Sequence, residues 1–275
     1  MPVLPTSGDG RTAVEVARSA AAAAAEIALA RFQRLTRGDP VEKVAKGRGN
    51  YVTESDLACE EAALAVLRSA YPEHRILSEE TSAEVDGWDS GWVWVVDPID
   101  GTSNFARGIP TFAFNIALCH NGEPVLGLTH QPVTGDEFLA TSGGGLFVNG
   151  ERTRVSVARE LHECLAGFGL GYMYERAKMM LQLLADTWPG MQSVQNIGSA
   201  ALGLAYTASG RFDLYIHSNL YPWDMAAGIV QVREAGGVAL ARDGSQATIY
   251  SEGIIAGAPR PAQELLELTR GRAWR

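Results

Sequence analysis

The stretch WVWVVDPIDGTSNF, residues 92–105, places two carboxylates directly after an apolar run. The run at 92–96 predicts a buried strand, and Asp97 and Asp100 follow where that strand reaches the edge of its sheet. Asp100-Gly101 is by itself a common turn dipeptide, so this pair alone favours an ordinary turn. Two acids three residues apart around a proline also suggest a metal site, and the rest of the chain decides between the two interpretations.

The composition is that of a folded globular protein with one large domain or two small ones. The chain has 275 residues, of which 46% are hydrophobic and 20% charged, and its formal net charge is −9. This balance disfavours a nucleic acid as partner, because affinity for a phosphate backbone comes largely from clustered lysine and arginine. An acidic protein that handles a phosphate therefore needs a local cation.

The cysteines and the N-terminal sequence predict a cytoplasmic protein. The three cysteines are an odd number without CxxC spacing, which favours a reducing compartment and disfavours a zinc site. The opening MPVLPTSGDGRT has neither a basic nor an apolar targeting region, so we expect no signal peptide. Charged residues flank the alanine-rich segment 20–25 too closely for a membrane span, so we expect no membrane partner.

The pattern along the chain changes near residue 158. Helical sequence at about 11–35 and 55–71, with Ser55 or Asp56 as the expected N-cap of the second helix, precedes strand-rich sequence from 92 to about 157. A polar glycine loop is expected at 46–50, and Asn121-Gly122 and Asn149-Gly150 predict hairpins. Strands and helices then alternate to the end. We therefore expect an α+β part, 1–158, and an α/β part, 159–275, packed as one compact unit.

Acidic residues at four separated places are candidates for one site. Taken singly, Asp56 and Asp224 read as helix caps and Glu79-Glu80 as a solvated loop. Taken together with Asp97 and Asp100, they are hard oxygen ligands at strand ends and a helix start, which is what Mg²⁺ binds while keeping waters and a substrate phosphate.

The backbone around Asp97 and Asp100 also suits the binding of a metal ion and a phosphate. Pro98 fixes the chain, so that Asp97, Asp100 and the Ile99 carbonyl can face one point. Gly101 and Thr102 offer backbone N–H groups, and Thr102 also offers a hydroxyl; these are the donors that a phosphate oxygen needs. The spacing fits neither a calcium loop nor an aspartyl-nucleophile phosphatase, and the P-loop pattern is absent from the sequence.

At this point two long motifs carry a resemblance. DPIDGT after WVV, at 97–102, and WDMAAG, at 223–228, together resemble the inositol monophosphatase family of Mg²⁺-dependent, lithium-sensitive phosphatases. The resemblance runs from about 10 to 260 and includes VTESD at 52–56, EET at 79–81 and GSAA at 198–201. It implies a layered αβαβα sandwich of the inositol monophosphatase and fructose-1,6-bisphosphatase type, usually a homodimer.

The resemblance also implies a role for each matching residue. Two or three Mg²⁺ ions are implied: one held by Glu79, Asp97 and the Ile99 carbonyl, a second by Asp97, Asp100 and Asp224, and a weaker third by Glu79 with waters. The implied catalytic residues are Glu79, Thr102 and Asp56, with Thr102 hydrogen-bonded to Asp56 and orienting the attacking water. The implied substrate-binding residues are Asp100, Gly101, Thr102, Gly198, Ser199, Ala200 and His217.

Three positions depart from the family pattern. Ser78 stands where the family usually has glycine before its first glutamate. In the preceding loop Lys46 lies one place off the expected spacing and Asn50 replaces an aspartate. His217 stands where a glutamate usually hydrogen-bonds inositol hydroxyls, and a histidine has a different chemistry and pH response.

The expected function is that of a phosphoric monoester hydrolase. The expected partner is a small phosphorylated metabolite, inositol 1-phosphate or a similar polyol or sugar phosphate, hydrolysed by metal-activated water. Relatives acting on 3′-phosphoadenosine 5′-phosphate, fructose 1,6-bisphosphate or histidinol phosphate stay open, with Arg176 and Lys178 as possible cations for a second phosphate. Tyr172 and Tyr174 are interpreted as core packing rather than as stacking on a base. A non-catalytic regulatory member would have lost a metal ligand or Thr102, and all are present.

Overall fold

The structure is a computed structural model that describes residues 2–39, 43–47, 50–81 and 89–274. Two single turns of 3₁₀ helix lie at Leu161–Glu163 and Trp188–Gly190. The remaining elements, in chain order, are α1 (Ala13–Thr36), β1 (Lys43–Gly47), β2 (Asn50–Thr53), α2 (Glu54–Ala70), β3 (Arg75–Ser78), β4 (Trp92–Asp100), α3 (Thr102–Phe105), β5 (Ala113–His120), β6 (Glu123–Gln131), β7 (Asp136–Thr141), β8 (Gly145–Val148), β9 (Glu151–Thr153), β10 (Leu165–Gly169), α4 (Tyr174–Thr187), β11 (Ser193–Asn196), α5 (Ala200–Ala208), β12 (Leu214–His217), α6 (Pro222–Glu234), β13 (Val238–Ala241), β14 (Ile254–Gly257) and α7 (Pro259–Leu268).

The larger sheet is built from the first half of the chain. Within the described residues it has seven strands in the order β3-β4-β5-β6-β7-β8-β9, and only the β3–β4 pair is parallel. Asn121-Gly122 joins β5 to β6 and Asn149-Gly150 joins β8 to β9, and all four residues have positive φ. A two-residue hairpin of this kind requires positive φ at both positions, so both predicted hairpins are confirmed.

The smaller sheet comes from the second half. Its order is β11-β10-β12-β14-β13, in the part of the chain that the structure describes. The strands β11, β10 and β12 are parallel, whereas β14 is antiparallel to both of its neighbours. Because parallel strands point the same way, β10 and β12 end at the same edge of the sheet, and this edge forms one wall of the site described below.

The helices separate the two sheets and cover their outer faces. Apolar faces of α1 and α2 pack on one side of the larger sheet. Between the sheets lie α5 and α6, while α4 and α7 cover the outside of the smaller sheet. The backbone of α6 approaches β6 so closely that a side chain at Gly127 would meet Ala227 O at 2.6 Å. The predicted layered αβαβα sandwich is confirmed.

Two local predictions were wrong. Lys46 and Asn50 lie in the antiparallel pair β1–β2 rather than in a loop, while residues 48 and 49 lie outside the described residues. The N-cap of α2 is Thr53, not Ser55 or Asp56. Thr53 is extended and its backbone N–H donates to Asp56 Oδ2 at 2.8 Å, so the helix begins earlier through a capping box.

Two further observations concern the cysteines and the helices. All three cysteines are buried and unpaired. Among the described residues, no helix is both long enough and apolar enough to cross a bilayer. The division at residue 158 stays a prediction, although the two sheets are built from opposite sides of it.

Candidate metal centre and cleft

Three carboxylates meet where the two halves of the chain face each other. Asp97, Asp100 and Asp224 each offer one oxygen, and these oxygens lie within 4.8 Å of one another. The β4–β5 register shifts between Asp97 and Asp100, and this irregularity breaks the alternation of side chains along β4. Asp224 is the third residue of α6, close to the N-terminal end where a negative charge is favoured. The three acids therefore form one candidate metal centre.

Backbone and hydroxyl donors orient each carboxylate. Asp100 accepts hydrogen bonds from the Ser199 hydroxyl and from the backbone N–H groups of Ala201 at 2.9 Å and Ala200 at 3.2 Å. It therefore accepts hydrogen bonds from N–H groups at the start of α5 that have no partner within the helix. Asp97 Oδ1 accepts from the Ile99 N–H at 3.1 Å, and Asp224 Oδ2 from the Tyr221 N–H at 2.7 Å.

The electrostatics of the centre favour a bound cation. Burial raises the pKa of Asp97 well above its usual range, and the charges of Glu79 and Asp100 add to the shift. Burial likewise raises the pKa of Asp100 to about 6 and that of Asp224 well above its ordinary value. Among the described residues the lining of the cleft contains no lysine or arginine. Oxygen donors that repel one another in this way fit Mg²⁺, whose charge would offset the repulsion.

Glu79 lies beside this centre and is paired with Lys46. Its backbone N–H donates to Val96 O at 3.2 Å, just past the end of β3. Lys46 Nζ lies 3.0 Å from Glu79 Oε1 and 2.6 Å from Glu80 Oε2. Burial lowers the pKa of Lys46, but the two glutamates outweigh burial and the net shift is upward. Lys46 therefore stays charged and reaches the site despite its shifted place in the sequence.

Thr102 and Asp56 form a buried pair behind the metal centre. Thr102 Oγ1 lies 2.9 Å from Asp56 Oδ1 and 3.1 Å from Ile99 O, and the hydroxyl donates to these acceptors. Asp56 Oδ2 accepts from the Thr53 N–H at 2.8 Å and the Thr53 hydroxyl at 2.5 Å. Burial raises the pKa of Asp56, against the effect of these hydrogen bonds. The carboxylate holds the Thr102 hydroxyl in one orientation, with its lone pairs free to accept.

The turn between Asp100 and Thr102 requires a glycine. Gly101 has φ +94°, a left-handed conformation that side chains rarely adopt. A Cβ there would lie 3.1 Å from Thr111 O and 3.2 Å from Gly198 O. The glycine therefore lets the chain turn sharply into α3 and exposes its backbone to the cleft.

His217 lies on the wall of the cleft, at the end of β12. Its Nδ1 accepts from the Asn219 N–H at 3.2 Å, so the proton of the neutral ring is assigned to Nε2. Burial lowers the pKa of His217 to about 3, which keeps the ring neutral at physiological pH. The ring packs against Gly169, where any side chain would collide with it. His217 is therefore a fixed, uncharged hydrogen-bonding group.

The cleft has a volume of about 250 Å³ and collects most of the predicted residues. Asp56 is the exception, because it lies behind Thr102 and contacts the cleft only through it. The predicted residues that line the cleft are Glu79, Asp97, Ile99, Asp100, Gly101, Thr102, Gly198, Ser199, Ala200, His217 and Asp224.

Several lining residues were missed by the sequence analysis. Tyr172 lines the cleft and is 53% exposed, and Tyr174 is 66% exposed, so the interpretation of both as core packing was wrong. Asn219 and Tyr221 line the cleft between His217 and Asp224. The sequence did contain a signal for each. Asn219 and Tyr221 belong to SNLYP, which lies between the two predicted site residues His217 and Asp224, and Tyr172 follows the carboxyl end of a parallel strand, where ligands commonly bind.

The raised carboxyl pKa values predict how the metal-free protein responds to pH. The folded-state pKa of Asp100, about 6, lies above its ordinary value, and those of Asp97 and Asp224 are also raised. The folded state therefore binds more protons than the unfolded state, so stability present near pH 4 is lost as pH rises through 6.

We expect the Tm in EDTA to be about 5–10 °C lower at pH 7.5 than at pH 5. We also expect Mg²⁺ to raise the Tm mainly at the higher pH, because only the ionised carboxylates bind it. Thermal unfolding followed by circular dichroism measures both. Equal Tm values at the two pH values in EDTA would contradict the prediction.

Comparison with known proteins matches almost the whole chain to one protein family. The model of the inositol monophosphatase family matches residues 9–273. A protein named Nus factor SuhB from Escherichia coli (strain K12) is 37% identical over 229 residues, covering 83% of this chain and 85% of the relative. A protein named inositol-1-monophosphatase from Mesorhizobium japonicum is 38% identical over 213 residues, covering 77% and 80%. The crystal structure of extragenic suppressor protein suhB from Bartonella henselae matches with a TM-score of 0.87 and 34% identity, covering 94% of this chain and 98% of that one. The chain belongs to the inositol monophosphatase family.

Proposed function

We propose that the protein is a Mg²⁺-dependent phosphomonoesterase that hydrolyses inositol 1-phosphate or a similar small polyol or sugar phosphate. The observation that carries the proposal is the convergence of three carboxylates, the buried Asp97 and Asp100 and the partly buried Asp224, in a cleft beside the Thr102–Asp56 pair. When bound there, Mg²⁺ would supply positive charge to the phosphate and lower the pKa of the attacking water. Asp97, Asp100 and Asp224, with Glu79 and the Ile99 carbonyl, would hold two or three ions.

The protein's own part in the reaction is to orient the water and the phosphate. Because Thr102 Oγ1 donates toward Asp56, its lone pairs are available to accept a proton of the attacking water. The buried negative charge of Asp56 strengthens that acceptor. The backbone N–H groups of Gly101 and Thr102 would bind phosphate oxygens, for which the left-handed turn at Gly101 leaves room.

Neutral groups would bind the alcohol part of the substrate. His217 carries a neutral Nε2–H donor, and Gly198, Ser199 and Ala200 line the same cleft. Hydroxyl groups of a polyol can both donate and accept, which suits a wall of this composition. A substrate with several hydroxyls and one phosphate is therefore favoured.

The alternatives with two phosphates have less support. Arg176 pairs with Glu252 and does not line the cleft, and neither does Lys178. Fructose 1,6-bisphosphate and 3′-phosphoadenosine 5′-phosphate would therefore place a second phosphate in a cleft whose lining, among the described residues, contains no lysine or arginine, and Lys46 is already paired with Glu79 and Glu80. Histidinol phosphate stays an alternative, because the exposed ring of Tyr172 lies at the cleft.

A regulatory role is the second candidate, since close relatives carry the name Nus factor SuhB. The intact set of metal-binding carboxylates and Thr102 favours catalysis over a purely regulatory protein.

We also propose a cytoplasmic homodimer. Leu181 and Trp188, both about half exposed on the outer layer, support a contact between copies.

A panel of phosphate esters tests the proposed function. With Mg²⁺ present we expect faster phosphate release from inositol 1-phosphate than from fructose 1,6-bisphosphate, 3′-phosphoadenosine 5′-phosphate or histidinol phosphate. For His217→Ala we expect the KM for inositol 1-phosphate to rise roughly 5–10-fold with little change in kcat, because one hydrogen bond to the substrate is lost. His217→Gln keeps a donor and should stay close to wild type.

The matched control is His162→Ala, which removes an exposed histidine that does not line the cleft. If another ester is preferred, the substrate assignment is wrong, although the phosphatase class stands. If His217→Ala leaves the KM unchanged, His217 does not bind substrate. Mg²⁺ binding without release of phosphate from any ester would favour the regulatory candidate.

A further inference from the structure

A second buried acid lies on α2, one turn after Asp56. Glu60 is 1% exposed, and among the described residues its carboxylate has no basic partner, which is unusual for a buried glutamate. Its Oε2 accepts two hydrogen bonds, one from the Ser78 hydroxyl and one from the Glu80 N–H at 3.0 Å. The two donors are the residues immediately before and after Glu79.

Glu79 lies immediately after the last residue of β3. Among the described residues, its backbone N–H donates to Val96 O at 3.2 Å and its side chain is paired with Lys46. Hydrogen bonds to the residues that flank a metal ligand help to orient that ligand. Glu60 holds both neighbours with a single oxygen atom, which is rigidly presented by α2.

The cost of burying Glu60 also points to this use. Among the described residues its Oε1 has no hydrogen-bond partner. A buried oxygen without a partner destabilises a fold, so an apolar residue would serve packing better. The contribution of this carboxylate is therefore the pair of hydrogen bonds that Oε2 accepts on either side of Glu79.

We propose that Glu60 and Ser78 are positioning residues that set the direction of Glu79 toward the metal centre. The proposal rests on the proposed function, in which Glu79 is a metal ligand. The Ser78 hydroxyl supplies one of the two hydrogen bonds to Glu60 Oε2, and the backbone of Glu80 supplies the other. The same helix thus supports both halves of the site, Thr102 through Asp56 and Glu79 through Glu60.

The test measures binding of Mn²⁺ without substrate, from the electron paramagnetic resonance signal of the free ion. For Ser78→Ala we expect about 10-fold weaker binding at the site that includes Glu79, and for Glu60→Ala about 10–100-fold. Glu60→Gln should recover most of the affinity, because an amide oxygen can accept both hydrogen bonds. Glu61→Gln, an exposed neighbour on the same helix, is the matched control and should bind as wild type does.

A double-mutant comparison separates positioning from general destabilisation. In a Glu79→Gln background, Ser78→Ala should cause no further loss of Mn²⁺ affinity, because the ligand that it positions is already absent. Thermal unfolding of each variant shows whether it is folded, and Ser78→Ala keeps the test valid if Glu60→Ala fails to fold.

Three results would overturn the proposal. One is wild-type Mn²⁺ affinity in folded Ser78→Ala and Glu60→Ala. Another is an equal loss from Ser78→Ala with and without Glu79→Gln. A wild-type protein that binds no Mn²⁺ would overturn both this proposal and the proposed function. If the wild type binds Mn²⁺ and releases phosphate but the variants do not differ from it, only the positioning proposal fails.

Discussion

Replacing Asp97 by asparagine is expected to lower phosphate release by about 10³-fold or more. Asp97 belongs to the carboxylate cluster and, in the proposed function, is shared by two ions. Asparagine keeps the Oδ1 acceptor for the Ile99 N–H, so the turn should survive, but it supplies no negative charge. The loss of several kcal/mol of charge stabilisation at the reacting phosphate corresponds to a factor of this size. Phosphate release at saturating Mg²⁺ measures it.

The same substitution should stabilise the metal-free protein. Burial and the neighbouring carboxylates raise the pKa of Asp97 in the folded state, so its ionisation at pH 7.5 costs stability. A neutral asparagine removes that cost, and we expect a Tm in EDTA that is higher than that of wild type at pH 7.5 but not at pH 4. Asp39→Asn, at an exposed ion pair with Arg34, is the control and should change neither activity nor Tm appreciably. A variant that stays active, or loses Tm in EDTA, would show that Asp97 is not at a metal centre.

The features of the fold and the site that could be predicted are those encoded by short stretches of sequence. The first five residues of β4 are an unbroken apolar run, although the strand continues through Asp97 to Asp100 rather than ending before them. The two Asn-Gly pairs predict hairpins by their backbone preference alone. The acids could be assigned to one site because motifs at 97–102 and 223–228 are specific enough to indicate a family. Each of these signals is local, and the structure places them as expected.

The other part depends on contacts between distant segments. The Asp100 carboxylate accepts hydrogen bonds from the backbone N–H groups at the start of α5, a hundred residues later. Nothing in the sequence of either segment shows this pairing. Lys46 reaches Glu79 because β1 and β2 form an antiparallel pair, in a region for which the sequence predicted a loop. Glu60 reads as one more acid on a helix until β3 is placed next to α2.

The exposed aromatic residues were misjudged for a related reason. A tyrosine after a strand is apolar enough for a core and polar enough for a cleft, so composition cannot separate the two uses. Only the edge shared by β10 and β12 decides that Tyr172 faces the cleft. The order of strands in a sheet, which sets that edge, is a property of the whole chain.

Removing the Thr102 hydroxyl is expected to lower kcat by about 10²–10³-fold while Mn²⁺ affinity changes little. Thr102→Val keeps the shape of the side chain, but it can neither donate to Asp56 nor accept a proton from water. A positioned acid–base group typically contributes a factor of this order. Asp56 Oδ1 also loses its donor, so we expect a cost of about 1–3 kcal/mol in unfolding free energy.

Two further variants separate the chemical role from the structural one. Thr207→Val removes a hydroxyl that is also buried and donates to Gly203 O, but lies outside the cleft lining, so it should lower Tm without a comparable fall in kcat. Thr102→Ser restores the hydroxyl and should recover most of the activity. If Thr102→Val were as active as wild type, or if Thr207→Val lost as much kcat, the buried Thr102–Asp56 pair would act only through stability. A large loss of kcat confined to Thr102→Val would mean that the hydroxyl itself acts on the attacking water, because the metal-binding carboxylates are unchanged in that variant.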